Sequence, residues 1–237
     1  MNKKENTSKG TCPCSQGIDR REFLKISAVA GLLAGCSPVL ETAEDPTATV
    51  RPTLAPGETA VPDLAGKKAL YVLPKSVYAL QCHDESVSVL KACGMSIALA
   101  ALEKKEIGVW GGGTPSLTPD MVLSEVKAAD FDAVIFECGQ PLESYNTDYQ
   151  KLARETAEQG KVLAAVCMMP AILATAGGLK GKQATSNAAD QYALEQFDAV
   201  LSDLDPVRDG KIITASFNGS SKFGWMIAEA LGEQGVG

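Results

Sequence analysis

From Lys67 onward, short apolar runs alternate with amphipathic stretches, and a chain built this way has few solutions other than a parallel sheet covered by helices. Residues 69–73 (Ala-Leu-Tyr-Val-Leu) form an apolar run bounded by a lysine pair and Pro74, the pattern of a strand buried on both sides. Residues 86–93 fit an amphipathic helix stopped by Gly94, and residues 95–102 a second strand. Thr118-Pro119-Asp120 reads as a helix start, with Thr as cap and Pro in the first turn, leading to a strand over residues 131–136. Residues 146–159 predict the next helix, closed by Gly160, and residues 161–166 the next strand. Asp209-Gly210 marks a turn into a strand over residues 212–215, and a last helix is expected over residues 221–231. The expected class is α/β, with a mostly parallel sheet and helices on both faces. At 237 residues, 45% of them hydrophobic, the chain can fill one such core.

In open sheets of this type ligands bind beyond the carboxyl ends of the strands. Those places hold Gln81, Cys82 and His83 after the first strand, Glu137-Cys138-Gly139 after the third and Cys167-Met168-Met169-Pro170 after the fourth. Thiolate, thioether and imidazole together suit a soft metal ion such as Cu(I) or Zn(II), so Cys82, His83, Cys138 and Cys167, with Met168 and Met169, are candidate ligands. The competing reading places the methionines in the core and treats Cys93 as helix packing. Glu137 is a candidate acid, weighed against a solvated loop carboxylate. Trp110-Gly111-Gly112-Gly113 lacks the Lys-Ser/Thr of a phosphate loop and reads as a flexible turn.

The N-terminus reads as an address. Asp19-Arg20-Arg21-Glu22-Phe23-Leu24-Lys25 matches a twin-arginine export motif apart from the usual Ser or Thr before the arginines. The apolar run over residues 26–35 is too short to span a bilayer, and it closes on Leu33-Ala34-Gly35-Cys36, a lipobox in which Cys36 would be acylated and become the mature N-terminus. Cys12-Pro13-Cys14 would be removed with the signal. Residues 37–64 are rich in Pro, Thr, Ala and Glu without apolar periodicity, the composition of a spacer. The expected organisation is a signal over residues 1–35, a lipid-anchored linker over 36–66 and a domain over 67–237. The protein is thus expected outside the cytoplasm, held to the bacterial cell membrane by lipid on Cys36. Beyond residue 35 no apolar stretch approaches the ~20 residues of a spanning helix, so the remainder is expected to be soluble. A net charge of −7 without basic runs past the N-terminus argues against nucleic acid as a partner.

Residues 162–185, Val-Leu-Ala-Ala-Val-Cys-Met-Met-Pro-Ala-Ile-Leu-Ala-Thr-Ala-Gly-Gly-Leu-Lys-Gly-Lys-Gln-Ala-Thr, resemble the nucleophile-elbow block of the DJ-1/PfpI superfamily, which has the class I glutamine amidotransferase-like fold. Residues 89–94, 131–134 and 209–214 agree with it, so the resemblance covers residues 67–232. It implies a flavodoxin-like sandwich with Cys167 on a tight strand-to-helix turn, where strain and a helix N-terminus favour the thiolate. It also places Met168 and Cys138-Gly139 where the family's backbone amides can form an oxyanion hole. The family's glutamate partner falls on Cys82, or on Gln81 with a one-residue shift, and Asp84 or Glu85 could replace it only through a rebuilt loop. The two usual places for a catalytic histidine hold Met168 and Asn187, leaving His83 as the sole histidine, either a partner for Cys167 or an exposed, idle side chain.

Activities across the family include peptide hydrolysis, glyoxalase-like and deglycase chemistry, hydration of small electrophiles and regulatory ligand binding, and fold does not choose among them. The expectation is a lipoprotein with a cysteine-dependent hydrolase or lyase site for small electrophiles, needing no cofactor. The alternatives are a non-enzymatic redox or soft-metal-binding lipoprotein and an inert interaction module. If Cys82 stands in the glutamate place, the resemblance puts it close enough to Cys167 for a disulfide, which would be a redox pair or a capped nucleophile. Its partners are a small-molecule ligand and, through the anchor, the membrane; a homodimer is left open.

Overall fold

The computed structural model describes residues 61–139 and 141–233. The twin-arginine segment, the Cys12-Pro13-Cys14 pair, Cys36 and the spacer up to residue 60 lie outside the described residues. Seven strands form the main sheet: β1 (Lys68–Val72), β2 (Ser96–Ala101), β3 (Met121–Val122), β4 (Ala133–Phe136), β5 (Val162–Val166), β6 (Val207–Asp209) and β7 (Ile212–Ala215). Their order is β6-β7-β5-β4-β1-β2-β3, parallel throughout except for the β6–β7 hairpin. Its helices are α1 (Leu80–Ala92), α2 (Thr147–Glu158), α3 (Pro170–Thr175), α4 (Gln191–Glu195) and α5 (Ser220–Gly232). This is the expected α/β sandwich of flavodoxin-like type.

Successive residues of a strand point to opposite faces, and the core divides accordingly. Tyr71, Ile135, Ala164, Val166 and Ile213 pack with Leu90, Phe223, Ile227 and Leu231 of α1 and α5. Leu70, Val72, Val134, Phe136, Leu163 and Ala165 pack on the other face with Tyr149, Leu152, Ile172 and Leu173 of α2 and α3. Each fully buried large side chain of this kind contributes about 1.5–3 kcal/mol of transfer free energy. Because both faces are covered, the strands read as unbroken apolar runs.

Two boundaries differ from expectation at the start of the domain. Leu64 is fully buried and its N–H donates to the Cys93 carbonyl at 2.8 Å, so the ordered domain begins several residues before Lys67. Helix α1 begins at Leu80, not at residue 86, which places Gln81, Cys82 and His83 in its first turn and not in a loop. A third expectation fails outright, since no helix starts at Thr118-Pro119-Asp120. The Asp120 N–H donates to the Leu99 carbonyl and its carboxylate accepts from the Leu99 N–H, both at 2.8 Å, which docks the segment onto β2 and leads into β3. Single 3-10 turns at Leu123–Glu125 and Ala128–Asp130 carry the chain on to β4. The expected helix before β5 is present, with the Asn146 side-chain oxygen accepting from the N–H groups of Asp148 and Tyr149 at 2.9 and 3.2 Å. Residues 110–112 form the anticipated glycine turn, with Trp110 exposed at its start.

Candidate active site

Cys167 follows the last residue of β5 and has φ of +68°, a left-handed conformation that costs a non-glycine residue about 1–2 kcal/mol. Its backbone is held on both sides. The N–H donates to the Ala215 carbonyl at 2.9 Å, extending the β5–β7 ladder by one residue, and the carbonyl accepts from the Asn187 N–H at 3.2 Å. Strain fixed in this way lifts the sulfur off the strand end, as the elbow motif predicts. Helix α3 contains only six residues, so individual donors, and not a helix dipole, carry the stabilisation of a thiolate here.

Those donors are specific. The Asn187 Nδ2 donates to the Cys167 sulfur from 3.2 Å, and the Cys138 side chain and the Met168 backbone N–H add to its effect on the thiol. Together they hold the Cys167 thiol below its ordinary range, the Cys138 contact being the largest cause, against burial and the nearby Asp190 carboxylate, which act to raise it. Asn187 is itself fixed, its Oδ1 accepting from the Phe217 N–H at 2.8 Å, so its amide can present only N–H groups to the sulfur. Asn187 therefore donates a hydrogen bond to the sulfur but, as an amide, cannot take a proton from it.

Cys138 follows β4 after Glu137, and Cys82 lies in the first turn of α1. Interaction with the Cys167 and Cys82 side chains, with burial, pushes the Cys138 thiol well above the ordinary thiol value. Cys82, Cys138 and Cys167 are free and buried, so the Cys82–Cys167 disulfide is not formed in this structure, and Cys93, also buried, packs in the α1 and α5 core as expected. Gly139 completes this corner. A Cβ there would stand 2.7 Å from the Pro74 Cβ and 3.1 Å from the Met169 sulfur, so only glycine lets the chain pass beside the cysteines.

His83 and Glu137 depart furthest from expectation. Glu137 is fully buried instead of solvated, and His83 is 6% exposed instead of idle at the surface. They pair with each other: His83 Nδ1 lies 3.1 Å from one Glu137 oxygen, while the other accepts from the Cys138 N–H at 3.2 Å. Tyr71 and Tyr78 stand edge-on to the imidazole, each with ring centroids 5.5 Å away. Burial, followed by the Glu137 charge, drives the Tyr71 hydroxyl far above its usual range, and that hydroxyl donates to Ser86 Oγ at 2.9 Å. His83 is thereby committed to Glu137, and Glu137 to the backbone of Cys138. A buried residue on a helix face and one at a strand end were separable from surface residues only by the helix start at Leu80, which the sequence does not announce. Among the described residues no group of three or more His, Cys, Asp and Glu side chains is arranged to hold a metal ion, so the soft-metal set of Cys82, His83, Cys138 and Cys167 is not assembled. Gln81 and Glu85 bond to each other along the outside of α1 at 3.0 Å, and Asp84 is exposed, so none of them takes the glutamate's place beside Cys167.

Two recesses flank the cysteines. A polar cleft of about 500 Å³ opens beside Asn187, lined by Thr185, Ser186, Ser202, Asp203 and Asn218 among others. On the opposite side a cavity of about 10 Å³ lies among Tyr78, Trp110, Cys138, Gly139 and Met168. Cys167 itself is 1% exposed and lines neither recess, although its hydrogen-bond partner Asn187 lines the first and its chain neighbour Met168 the second.

The comparisons with known proteins agree with this geometry. The chain is 30% identical over 139 residues to the deglycase PfpI of Pyrococcus furiosus, covering 58% of this chain and 82% of that one. It superimposes on Drosophila melanogaster DJ-1beta with a TM-score of 0.62 at 26% identity, covering 70% of this chain and 90% of that one. The ThiJ/PfpI domain protein of Brachyspira murdochii gives 0.67 at 24% identity, covering 71% and 99%, a likeness of fold. A profile of the DJ-1/PfpI family matches residues 70–230, and with its elbow cysteine on β5 of a flavodoxin-like sheet the chain belongs to that family.

Proposed function

We propose that this protein is a cysteine-dependent enzyme acting on small carbonyl electrophiles, in the manner of the deglycases it resembles, and that it works outside the cytoplasm as a lipoprotein. The observation that carries the reading is the Cys167 sulfur, set on a left-handed residue and surrounded by hydrogen-bond donors: the Cys138 thiol, the Asn187 amide and the Met168 N–H. A sulfur whose pKa is held down by donors gains thiolate character, and with it nucleophilicity, without a base beside it. It adds to an aldehyde carbon to give a hemithioacetal, and the same donors are at hand for the oxygen that gains charge. The cleft beside Asn187, lined by hydroxyl, amide and carboxylate groups, suits a small hydrated carbonyl compound better than an apolar one. Relatives named as deglycases, the one from Pyrococcus furiosus among them, support the substrate class.

The test is turnover of small 2-oxoaldehydes and of amines glycated by them, measured on wild type and Cys167→Ser. The expected result is turnover by the wild type that the variant lacks; equal rates in the two, or no turnover by a wild type whose Cys167 alkylates readily, overturn the reading.

A further inference from the structure

We infer that the polar cleft beside Asn187 is a cation-selective subsite, which admits small carbonyl compounds bearing an ammonium group and turns away those bearing a carboxylate or phosphate. As a statement about substrates it rests on Cys167 being the reacting group; as a statement about binding it stands on the cleft alone. The lining of this 500 Å³ cleft includes two carboxylates, Asp203 and Asp205, and no lysine, arginine or histidine. The lysines of the adjoining segment are engaged elsewhere, Lys180 with Asp198 at 3.2 Å and Lys182 with Asp209 at 3.1 Å, so neither neutralises it. A second, independent observation is Thr185. It is 4% exposed and lines the cleft, its N–H is taken by Thr214 Oγ1 at 2.9 Å, and its hydroxyl is open to the cleft with no hydrogen-bond partner among the described residues. A hydroxyl set in a buried side chain, with no protein group to bond, is placed for a polar atom of a ligand.

The two aspartates do different work. Asp205 belongs to the fold: its carboxylate accepts from the Ser216 N–H at 2.9 Å and from the Ser216 hydroxyl, and it packs so closely on Gly219 that an added Cβ there would collide with it. Asp203 is exposed and makes no ion pair or hydrogen bond among the described residues, so its charge is left for a ligand. Asn187 supplies the opposite polarity. Its amide gives one hydrogen to the Cys167 sulfur from 3.2 Å and keeps a second, which a carbonyl oxygen can accept. A ligand whose carbonyl bonds to Asn187 therefore brings that group to the residue that contacts the sulfur, while a positive charge elsewhere on it meets Asp203. An anionic ligand meets like charge from Asp203 and Asp205 and no basic side chain, which costs on the order of 10-fold in affinity at a part-buried site.

The experiment titrates the reduced full-length chain by calorimetry with three ketones of nearly equal size: aminoacetone, hydroxyacetone and pyruvate, buffered on the acid side of neutrality so that the first is a cation and the last an anion. The expected order is aminoacetone tightest and pyruvate weakest, with at least roughly 10-fold between them. Asp203→Asn, at an exposed position, is expected to bring aminoacetone down to the affinity of hydroxyacetone. Thr185→Val is expected to weaken all three ketones alike, by about 2- to 10-fold, the worth of one hydrogen bond. Pyruvate bound as tightly as aminoacetone overturns the subsite, as does an aminoacetone preference that survives in Asp203→Asn, or no binding of any of the three at large excess. Failure of the carbonyl-enzyme reading looks different: wild type then turns over no 2-oxoaldehyde, while aminoacetone still binds through Asp203, and does so equally in Cys167→Ser.

Discussion

At the residue scale the site turns on how the pKa of a buried sulfur is held down without a base. Asn187 supplies a hydrogen bond to Cys167 from 3.2 Å, and its orientation is locked by the Phe217 N–H. A hydrogen bond to a charged group is worth about 1.5–3 kcal/mol, which corresponds to roughly one to two pH units in the thiol midpoint. Because the folded-state pKa of Cys167 is depressed, the thiolate persists to lower pH than in an ordinary thiol, and removing a donor moves its midpoint up. Asn187→Ala is therefore expected to shift the pH–rate curve for iodoacetamide alkylation of Cys167 upward by one to two units, slowing alkylation near neutrality by about 10- to 100-fold. An unchanged curve would show that Cys138 and the Met168 N–H suffice. The elbow was legible because its motif is local: a strand, a cysteine and a proline-started helix within ten residues. The His83–Glu137 pair was not, because its members are 54 residues apart and each, taken alone, resembles a solvated polar residue.

The fit of α1 against α5 governs where Cys82 stands at the element scale. Gly224 on α5 lies under Ser86 and Val89 of α1, and an added Cβ there would meet the Ser86 Cα at 2.9 Å and its carbonyl oxygen at 3.0 Å. Backbone atoms cannot step aside as a flexible side chain would. Ser86 is also tied into the site, since its hydroxyl donates to the Cys82 carbonyl at 2.9 Å and accepts from Tyr71, while Ser220 on α5 donates to Glu85 at 2.6 Å. Gly224→Ala is expected to cost about 1–3 kcal/mol by overpacking, read as a lower denaturant midpoint with unchanged slope. It should also separate Cys82 from Cys138, seen as faster labelling of Cys82 by a maleimide in the native state. Wild-type stability in this variant would mean that the helices have slack between them. The five longer strands were legible, because burial on both faces leaves a continuous apolar run, whereas the short edge strands β3 and β6 carry no such run and were not. The start of α1 was not, because Ala79 provides no side-chain cap and the first turn carries no acidic residue. The segment at Thr118 carries a helix-start signature that a tertiary contact overrides, Asp120 bonding to β2 instead of capping a helix.

For the whole molecule, the question is where such a thiol site works, and the sequence before residue 61 bears on it. A twin-arginine motif followed directly by an apolar run and Leu33-Ala34-Gly35-Cys36 predicts export and acylation of Cys36. Each buried CH₂ of an acyl chain contributes about 0.8 kcal/mol, so two or three chains hold a protein at a membrane where one would let it exchange. The segment between Cys36 and Val61, fully extended, reaches at most roughly 80–90 Å, enough to keep the domain clear of the headgroups while holding it to one surface. An extracytoplasmic address changes the thiol chemistry as well, since oxidants there are not countered by the cytoplasmic glutathione and thioredoxin pools. The expected outcome is that wild type fractionates with membranes, incorporates labelled palmitate and is released by detergent. Cys36→Ser should lose the label, and Arg20→Lys with Arg21→Lys should leave the unprocessed chain in the cytoplasm. Wild type found in the soluble cytoplasmic fraction with its N-terminal residues intact would remove the export reading and with it the oxidising surroundings.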